Sequence, residues 1–315
     1  MIPDRWHPSD GGGLWFHRWC EPTPSASLSP EVRKSPWATC GSGFVIEQRA
    51  APPHRRGVAN VRAMTLQIER IPTFADNYTY LLICNETQEA AIVDAPEADP
   101  VIARVDATGA KVTKILSTHH HADHAMANSI LAKQYDAPVY GHHSDSGRLE
   151  GFTNGVDEGD TVSVGNQVAR VLFIPSHTMG HVAYVFDDAK ALFSGDMLFA
   201  GGCGRLFEGD AQMMYTALCE KLAALPDDMR VFCGHEYTES NLKFAAHVEP
   251  NNSDIADKLE RVSKIRMNAA ADWHDATHNE MTVPSTIAEE KLTNPFMRAQ
   301  DVAQLAERRT LKDNF

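Results

Sequence analysis

The sequence feature that most constrains this chain is the run THHHADH at residues 118–124, which places four imidazoles and one carboxylate within seven residues. Folding alone does not require such a concentration of ligating groups, and imidazole and carboxylate together suit zinc, iron and similar ions. The strand-like run 112–116 precedes the motif, and a segment with helical spacing follows it. We therefore interpret the motif as part of a metal site and not as a histidine-rich surface loop.

The composition indicates a globular protein without membrane or nucleic-acid partners. Of the 315 residues, 43% are hydrophobic and 23% are charged, and the net charge of -13 disfavours nonspecific binding to polyanions. No apolar run approaches the roughly 18 residues of a membrane span. The six cysteines include no CxxC pair, which argues against a disulfide framework and favours a reducing compartment, so we expect a cytoplasmic protein.

Residues 1–63 differ from the rest of the chain. They are rich in Pro, Trp, Gly and Arg and hold eight Lys and Arg against five Asp and Glu, whereas the remainder has a net charge of -16. We interpret them as a disordered extension, or as sequence upstream of a true start at Met64. The apolar stretch of a secretory signal is missing, and the five acidic residues disfavour mitochondrial targeting.

Four short apolar runs beyond Met64 each end at a potential metal ligand. The runs 115–116, 171–175, 191–195 and 231–234 precede His119, His177, Asp196 and His235, in that order. Because buried strands do not carry unpaired charges, such ligands lie on loops just past the strand ends, where a rigid scaffold holds them. Strand ends that share one edge of a sheet assembly bring their ligands together. Gly195 and Gly234, directly before two of the ligands, predict tight backbone turns at the site.

The number of ligands predicts two metal ions. One tetrahedral zinc takes about four ligands, and seven groups fit two ions that share one carboxylate. These groups are His119, His121, Asp123, His124, His177, Asp196 and His235. We expect His120 to point away from the site by strand alternation, and His181 to support His177 through a hydrogen bond. Five further histidines have no strand-end context and are expected at the surface: His142, His143, His247, His274 and His278.

The HxHxDH motif with its three distant partners resembles the metallo-β-lactamase superfamily. Further runs are similar to glyoxalase II, the hydroxyacylglutathione hydrolases, and this resemblance covers essentially residues 64–315. These runs are FxDNY at 74–78, GCGR at 202–205, GHEYT at 234–238, VEP at 248–250, VPST at 283–286 and NPF at 294–296. The motif alone specifies only the superfamily, and the later runs narrow it to the family.

The resemblance implies an α/β fold in two parts. Residues 64–235 would form a metallo-β-lactamase αβ/βα sandwich with the metal site along one edge. Residues 236–315 would form a smaller all-helical C-terminal domain that covers this edge and binds glutathione. Apolar spacing near three and four in segments such as 255–267 and 302–311 agrees with helices there.

The resemblance also implies a reaction and the roles of the ligands. His119, His121 and His177 would hold one ion, Asp123, His124 and His235 the other, and Asp196 would bridge them. Hydroxide bound between the ions would hydrolyse S-D-lactoylglutathione, a 2-hydroxyacylglutathione thioester, to D-lactate and glutathione, the second step of methylglyoxal detoxification. Asp123 would also orient or deprotonate the water. No GxSxG motif for a serine nucleophile is present.

Local cations are needed to bind this substrate, because glutathione is anionic and the body of the chain is acidic. Arg309 and Lys312 are three residues apart and match the family's RxxK contact with glutathione. Arg205 stands where the family has a Lys, and Tyr237 matches a Tyr that contacts glutathione. Phe207 stands where a Tyr is often found, so one hydroxyl contact is lost.

Other readings of the same residues remain open. A mononuclear-iron glutathione persulfide dioxygenase belongs to the same superfamily but lacks the helical C-terminus with its RxxK end. A non-catalytic metal- or glutathione-binding protein is the alternative of another class, and the presence of both Asp123 and Asp196 argues against it. Zinc, iron and manganese all accept His and Asp ligands. We expect two zinc ions in a monomer.

Overall fold

Two six-stranded β-sheets form the centre of the part of the chain that the computed structural model describes, residues 66–268, 273 and 281–315. These residues all belong to one compact unit. The first sheet contains β1 (Leu66–Thr73), β2 (Asn77–Cys84), β3 (Glu89–Val93), β4 (Lys111–Leu116), β5 (Val139–His142) and β6 (Phe152–Val156). These strands lie side by side in chain order, antiparallel from β1 to β3 and parallel from β3 to β6. The predicted extension 1–63, together with His274 and His278, lies outside the described residues.

The following strands of the chain form the second sheet and a separate two-stranded hairpin. They are β7 (Thr161–Val164), β8 (Gln167–Phe173), β9 (Val182–Phe186), β10 (Ala191–Gly195), β11 (Leu198–Phe199), β12 (Gly202–Cys203), β13 (Arg230–Cys233) and β14 (Ser285–Thr286). The sheet order is β14-β13-β10-β9-β8-β7, and β11 pairs with β12 in a separate hairpin. All neighbours are antiparallel except β10 and β13, which are parallel.

Helices cover the outer faces of both sheets. They are α1 (Asp99–Thr108), α2 (Ala122–Ala125), α3 (Asn128–Tyr135), α4 (Ala211–Tyr215), which continues as the π-helical segment Thr216–Leu222, α5 (Thr238–Val248), α6 (Ser253–Asn268), α7 (Ile287–Thr293) and α8 (Val302–Asp313). One apolar cluster joins α1 and α3 to the first sheet, and another joins α4, α5, α7 and α8 to the second. None of the described helices is both long and apolar enough to cross a bilayer.

Strand β9 shows why the sequence folds into these layers. Val182, Tyr184 and Phe186 point into the apolar cluster between the two sheets, whereas Ala183 and Val185 point into the cluster beneath the helices. All five are buried, because side chains alternate across a strand and both faces of this one are covered. The expected αβ/βα sandwich is confirmed.

Four strands were not predicted from the sequence: β6, β14 and the two-residue strands β11 and β12. Strand β6 (sequence FTNGV) lies at a sheet edge with three exposed residues, and Asn and Gly are depleted in strands, so it has no apolar pattern. Strand β14 has only two residues and extends the second sheet from within the region expected to be all-helical. That region is therefore helical apart from β14. The predicted domain boundary after residue 235 stays a prediction.

The strand directions bring the predicted ligand loops to one edge. Strands β8, β10 and β13 share a direction, and in the other sheet β3, β4 and β5 share one. Backbone hydrogen bonds tie the two sheets together at this edge: Tyr78 N–H donates to Gly234 O at 2.8 Å, and Val182 N–H donates to Thr118 O at 2.8 Å. The ends of β4, β8, β10 and β13 therefore share one edge of the sandwich.

A buried ion pair fixes the hairpin β11–β12 to the C-terminal helices. Lys258 and Glu290 are 4% and 0% exposed, and their charged groups are 2.8 Å apart. The second carboxylate oxygen of Glu290 accepts hydrogen bonds from Gly201 N at 2.7 Å and from Asn294 Nδ2 at 2.9 Å. Because every charge in this cluster is paired, the cluster can remain buried.

Replacing Lys258 with Met should destabilise the protein strongly, because it leaves the Glu290 carboxylate buried without its cation. The expected loss in free energy of unfolding is about 3–5 kcal/mol, measured by urea denaturation. Lys264→Met is the matched control on the same helix, since Lys264 is 68% exposed and pairs only with Glu260 among the described contacts; its loss should stay within about 0.5 kcal/mol. Equal losses for the two variants would show that the buried pair has no special role.

Candidate metal centre

The seven predicted ligands lie together where the strands end. Three histidines form one group of ligand atoms within 4.8 Å of one another: His119, His121 and His177. Their nitrogens are closer still, since His121 Nδ1 lies 3.0 Å from His119 Nε2 and 3.1 Å from His177 Nε2. The loop after β4 supplies the first two ligands and the loop after β8 supplies the third.

A second group consists of Asp123, His124 and His235. Asp123 Oδ2 lies 3.4 Å from His235 Nε2 and 3.8 Å from His124 Nε2. Asp196 lies between the two groups: its Oδ1 is 3.2 Å from His124 Nε2, and its Oδ2 is 3.5 Å from His177 Nε2 and 3.4 Å from His235 Nε2. Asp196 is thus the one carboxylate of the seven that reaches histidines of both groups.

Hydrogen bonds on the outer nitrogens orient the imidazoles of the first group. Thr118 Oγ1 donates to Asp94 Oδ2 at 2.7 Å, so it accepts from His119 Nδ1 at 3.1 Å. His177 Nδ1 donates to the carbonyl of Arg205 at 3.0 Å. With the proton on Nδ1, each Nε2 carries a lone pair that points toward His121 Nδ1.

The second group is oriented in the same way by two carboxylates. His124 Nδ1 faces Asp94 Oδ2 at 3.1 Å, and His235 Nδ1 faces Asp76 Oδ1 at 2.8 Å. A carboxylate partner keeps the proton on Nδ1 and increases the basicity of Nε2, an arrangement common among metal-binding histidines.

Burial and neighbouring charges set the protonation of the first group. Burial, with His124 nearby, holds the pKa of His119 well below its ordinary value. Burial beside His177 lowers the pKa of His121 to about 4. Both imidazoles are therefore neutral at pH 7, the form that binds metals.

The second group has the opposite charge state when no metal is bound. Burial alone would lower the pKa of His124, but Asp196 and Asp94 outweigh it and raise the pKa to about 10. Asp196 and Asp123 likewise raise the pKa of His235 far above its ordinary value, although burial opposes this. These cationic imidazoles in turn hold the carboxyl pKa of Asp196 well below its usual range despite burial.

The donor set fits divalent cations. His124 Nε2 and Asp196 Oδ1 are buried without a hydrogen-bond partner, although they face each other. Ligands about 2.1 Å from one tetrahedral ion lie roughly 3.4 Å from one another, and the ligand atoms of both groups have similar spacings. Nitrogen and carboxylate donors of this kind suit zinc, iron or manganese.

The two glycines predicted to form tight turns have different roles. Gly195 has a φ of +50°, the left-handed region that favours glycine, which confirms the turn. Gly234 is not among the described residues with positive φ; instead a Cβ at this position would overlap Asp196 Oδ1 and lie 2.5 Å from His124 Cε1. Glycine is therefore needed at position 234 because two ligands approach the backbone closely there, and not because the chain turns.

The supporting histidines differ from expectation in one case. His120 points away from the ligands, as predicted, and faces Asp145 Oδ2 at 3.3 Å. His181 does not make the expected hydrogen bond to His177; its Nε2 accepts the backbone N–H of Asp196 at 3.1 Å and its ring stacks on that of His119. Sequence spacing suggested His177 as the partner of His181 because it is the nearest ligand along the chain. His181 instead lies beside the end of β10, because it directly precedes β9 and β9 runs antiparallel to β10.

The surface assignment was wrong for His142. This side chain is buried, stacks on Phe173, and forms with His143 and Asp157 a further group of ligating side chains, of which the latter two are exposed. His247 and His143 are exposed as predicted. The strand that ends at His142 is short. The His142 side chain is buried because Phe173 of the opposite sheet covers it, and sequence spacing does not reveal this contact.

Two carboxylates at the site were not predicted to support ligands. Asp94 directly follows β3 and is buried, and it accepts both the N–H and the hydroxyl of Thr118 in addition to facing His124. Asp76 directly precedes β2 and faces His235. Asp94 shares with Asp196 the position just past an apolar strand, so the pattern that indicated Asp196 also indicates Asp94.

A groove of about 710 Å³ adjoins the metal centre and extends to α8. All four predicted substrate-binding residues line it: Arg205, Tyr237, Arg309 and Lys312. The Tyr237 ring stacks on His235 with centroids 4.6 Å apart. Phe207, 60% exposed, lies edge-on to His121 and His177 at the mouth of the first group.

The cations of the groove differ in how freely they can meet a ligand. Arg309 is 5% exposed and donates to Cys203 O at 2.9 Å and to Asp313 Oδ1 at 3.0 Å. Lys312 Nζ has one described hydrogen bond, to Ser240 O at 3.3 Å. Arg205 is exposed and lies 3.6 Å from Asp313.

Comparison with known proteins agrees with this fold and site. The model of the metallo-beta-lactamase superfamily matches residues 76–235, and that of the hydroxyacylglutathione hydrolase C-terminus matches residues 236–315. The hydroxyacylglutathione hydrolase of Synechococcus sp. (strain JA-3-3Ab) is 43% identical over 263 residues, which cover 79% of this chain and all of that protein. That of Rhodopseudomonas palustris (strain ATCC BAA-98 / CGA009) is also 43% identical, and the match covers 77% of this chain and 91% of that protein.

Among solved structures, ETHE1 from Myxococcus xanthus is similar with a TM-score of 0.59 and 24% sequence identity. The match covers 78% of this chain and 90% of that one. At this identity the likeness shows the fold alone.

Asp94→Asn should weaken metal binding by about 10- to 100-fold, because it removes the negative partner of His124 and disturbs the hydrogen bonds to Thr118. Competition with a chromophoric chelator measures the affinity. Asp188→Asn, at an exposed position in the β9–β10 turn, is the control and should bind metal like the unmodified protein. Unchanged affinity in Asp94→Asn would remove Asp94 from the support of the site.

Metal binding at pH 7 should release protons, because the metal-free protein keeps His124 and His235 protonated and both nitrogens must be deprotonated to bind an ion. Affinity should therefore rise with pH below the raised pKa values. Calorimetric titration in two buffers of different ionisation enthalpy should give a release of about two protons per chain, and about one fewer for His235→Gln. Equal heats in the two buffers would contradict this charge state.

Proposed function

The chain belongs to the hydroxyacylglutathione hydrolases, the thioester hydrolases known as glyoxalase II within the metallo-β-lactamase superfamily, and from this premise we propose how its site hydrolyses S-D-lactoylglutathione to D-lactate and glutathione. The observation that carries the proposal is one groove with two groups of metal ligands at one end and three cationic side chains along it. The reaction would be the second step of methylglyoxal detoxification in a reducing compartment such as the cytoplasm.

In this proposal two divalent ions, zinc in the first instance, occupy the two groups of ligands. His119, His121 and His177 would hold one, Asp123, His124 and His235 the other, and Asp196 would serve both. Ions held here would supply Lewis acidity, which makes water acidic enough to react near neutral pH and polarises a thioester carbonyl.

Asp123 is positioned to orient the attacking water or to accept its proton. Its side chain is 43% exposed at the groove, and without metal the hydrogen bond from His235 holds its carboxyl pKa well below the usual range, although burial opposes this. The ionised carboxylate can orient water or accept its proton. Asn77 Nδ2 donates to the Asp123 backbone carbonyl at 2.9 Å and so fixes the segment that carries this carboxylate.

The leaving group requires little from the protein. A thiolate is stable enough to depart without a general acid, so a base and an electrophilic centre are sufficient for thioester hydrolysis. This agrees with a site built from carboxylates and imidazoles, in which Cys203, the cysteine of the groove, has its thiol pKa raised to about 11 by burial.

The groove supplies the local positive charge that the acidic body of the protein lacks. Arg205 and Lys312 present their charges to the groove, and Tyr237 presents a phenol beside His235. We assign the glutathione carboxylates to these cations and the acyl group to the metal end, where the Phe207 ring forms an apolar wall. Asp313 offsets part of this charge, because it contacts both Arg205 and Arg309.

The persulfide dioxygenase alternative uses one iron and would leave the second group of ligands without a function. That group is complete in this chain, and the C-terminal region matches the hydroxyacylglutathione hydrolase model over its full length to residue 315. Both features favour the thioesterase. A non-catalytic binding protein is disfavoured because the relatives at 43–44% identity are named as hydrolases.

The metal-loaded protein should hydrolyse S-D-lactoylglutathione, followed as loss of the thioester absorbance, and chelator should abolish the activity. Readdition of zinc should restore it, with a plateau at about two equivalents per chain. Oxygen consumption with glutathione persulfide, in place of thioester hydrolysis, would establish the alternative reaction and overturn the proposal.

A further inference from the structure

The end of β12 and the start of the loop to α4 bring three consecutive backbone carbonyls to two different partners. The carbonyls of Cys203 and Gly204 accept hydrogen bonds from Arg309 Nη1, at 2.9 and 3.5 Å. The next carbonyl, that of Arg205, accepts the hydrogen bond from His177 Nδ1 at 3.0 Å. One short stretch of backbone therefore joins the C-terminal helix to a histidine of the metal centre.

The backbone of this loop is pressed against the metal ligands. A Cβ at Gly204 would overlap the carbonyl of Asp196 and lie 2.7 Å from His177 Nδ1. The loop can therefore move little without moving His177 or Asp196. The position of the Arg205 carbonyl sets the direction of the His177 ring, and hence the direction of the Nε2 lone pair.

Arg309 is built to hold such a loop. Its guanidinium is buried, packs over the Phe296 ring with 5.0 Å to the centroid, and donates from Nη2 to Asp313 at 3.0 Å. Its Nη donors are thus directed to groups of the protein. Lys312, one helical turn further on, lies in the same groove, has one described hydrogen bond and makes none to this loop.

We propose that Arg309 is a positioning residue for the metal centre. Its hydrogen bonds to the carbonyls of Cys203 and Gly204 fix the position of the next carbonyl, that of Arg205, which in turn orients His177. The inference rests on the proposed metal site of the thioesterase. It separates two roles within the RxxK pair of α8. Lys312 serves substrate binding, whereas Arg309 serves the affinity and geometry of the ion held by His119, His121 and His177.

The test compares Arg309→Met with Lys312→Met, two substitutions that remove one cation each from the same helix. Arg309→Met should lower the affinity for the first ion by about 10- to 100-fold, change the absorption spectrum of the cobalt-loaded protein, and lower kcat. Lys312→Met should raise KM while metal affinity and the cobalt spectrum stay as in the unmodified protein.

Arg309→Lys keeps the charge and most of the side-chain stem but loses the planar guanidinium, whose Nη1 reaches two carbonyls while Nη2 reaches Asp313. Arg309→Lys should therefore also lower the metal affinity. It replaces Arg309→Met in the comparison if the Met variant does not fold. Thermal unfolding of the metal-free proteins shows which variants are folded at the assay temperature.

The outcomes separate this inference from the proposed function. If both Arg309 variants bind metal like the unmodified protein and only KM rises, Arg309 is a direct substrate contact and the inference is overturned. If the unmodified protein binds two ions and shows the Arg309 effect but does not hydrolyse the thioester, only the proposed reaction fails. An unmodified protein that binds no metal would overturn both.

Discussion

The structure depends on one electrostatic constraint, the convergence of electron-rich atoms at a buried sheet edge. Outer hydrogen bonds place the lone pairs of His119 and His177 opposite His121, and Asp196 faces histidines of both groups. Such atoms repel one another unless protons or cations lie between them. Without metal, the second group retains protons on His124 and His235. Divalent ions would replace those protons and satisfy the first group as well.

The fold maintains this arrangement through strand ends and through groups that contact the outer side of the ligands. Parallel strand ends in both sheets reach the same edge, and the ligands occupy the loops that follow. Each loop is then fixed from behind: Asp94 holds Thr118 and His124, Asp76 holds His235, and the Arg205 carbonyl holds His177. Gly234 allows the approach of two ligands that a larger residue would prevent. The precision of the site therefore comes from residues that need not touch a metal or substrate.

Sequence patterns could predict the ligands because four of the seven follow apolar runs and the other three stand in the motif at 118–124, and strand periodicity could predict most elements of the sandwich. They could not predict contacts that arise from three-dimensional packing. His181 reaches the Asp196 backbone and not His177, and His142 is buried by Phe173 of the other sheet. Strand β6 has no apolar alternation, and β14 is too short to show any. The RxxK spacing could identify Arg309 as a cation near the substrate. Its hydrogen bonds to the carbonyls of residues 203 and 204 depend on the three-dimensional fold and could not be predicted in this way.

The central claim is that seven side chains form two adjoining metal sites bridged by Asp196. Anomalous diffraction at the zinc absorption edge, from crystals of the zinc-loaded protein, tests it most directly. The account predicts two peaks, one among His119, His121 and His177 and one among Asp123, His124 and His235, with Asp196 contacting both. A single peak at full zinc occupancy, or two peaks of which only one contacts Asp196, would contradict it.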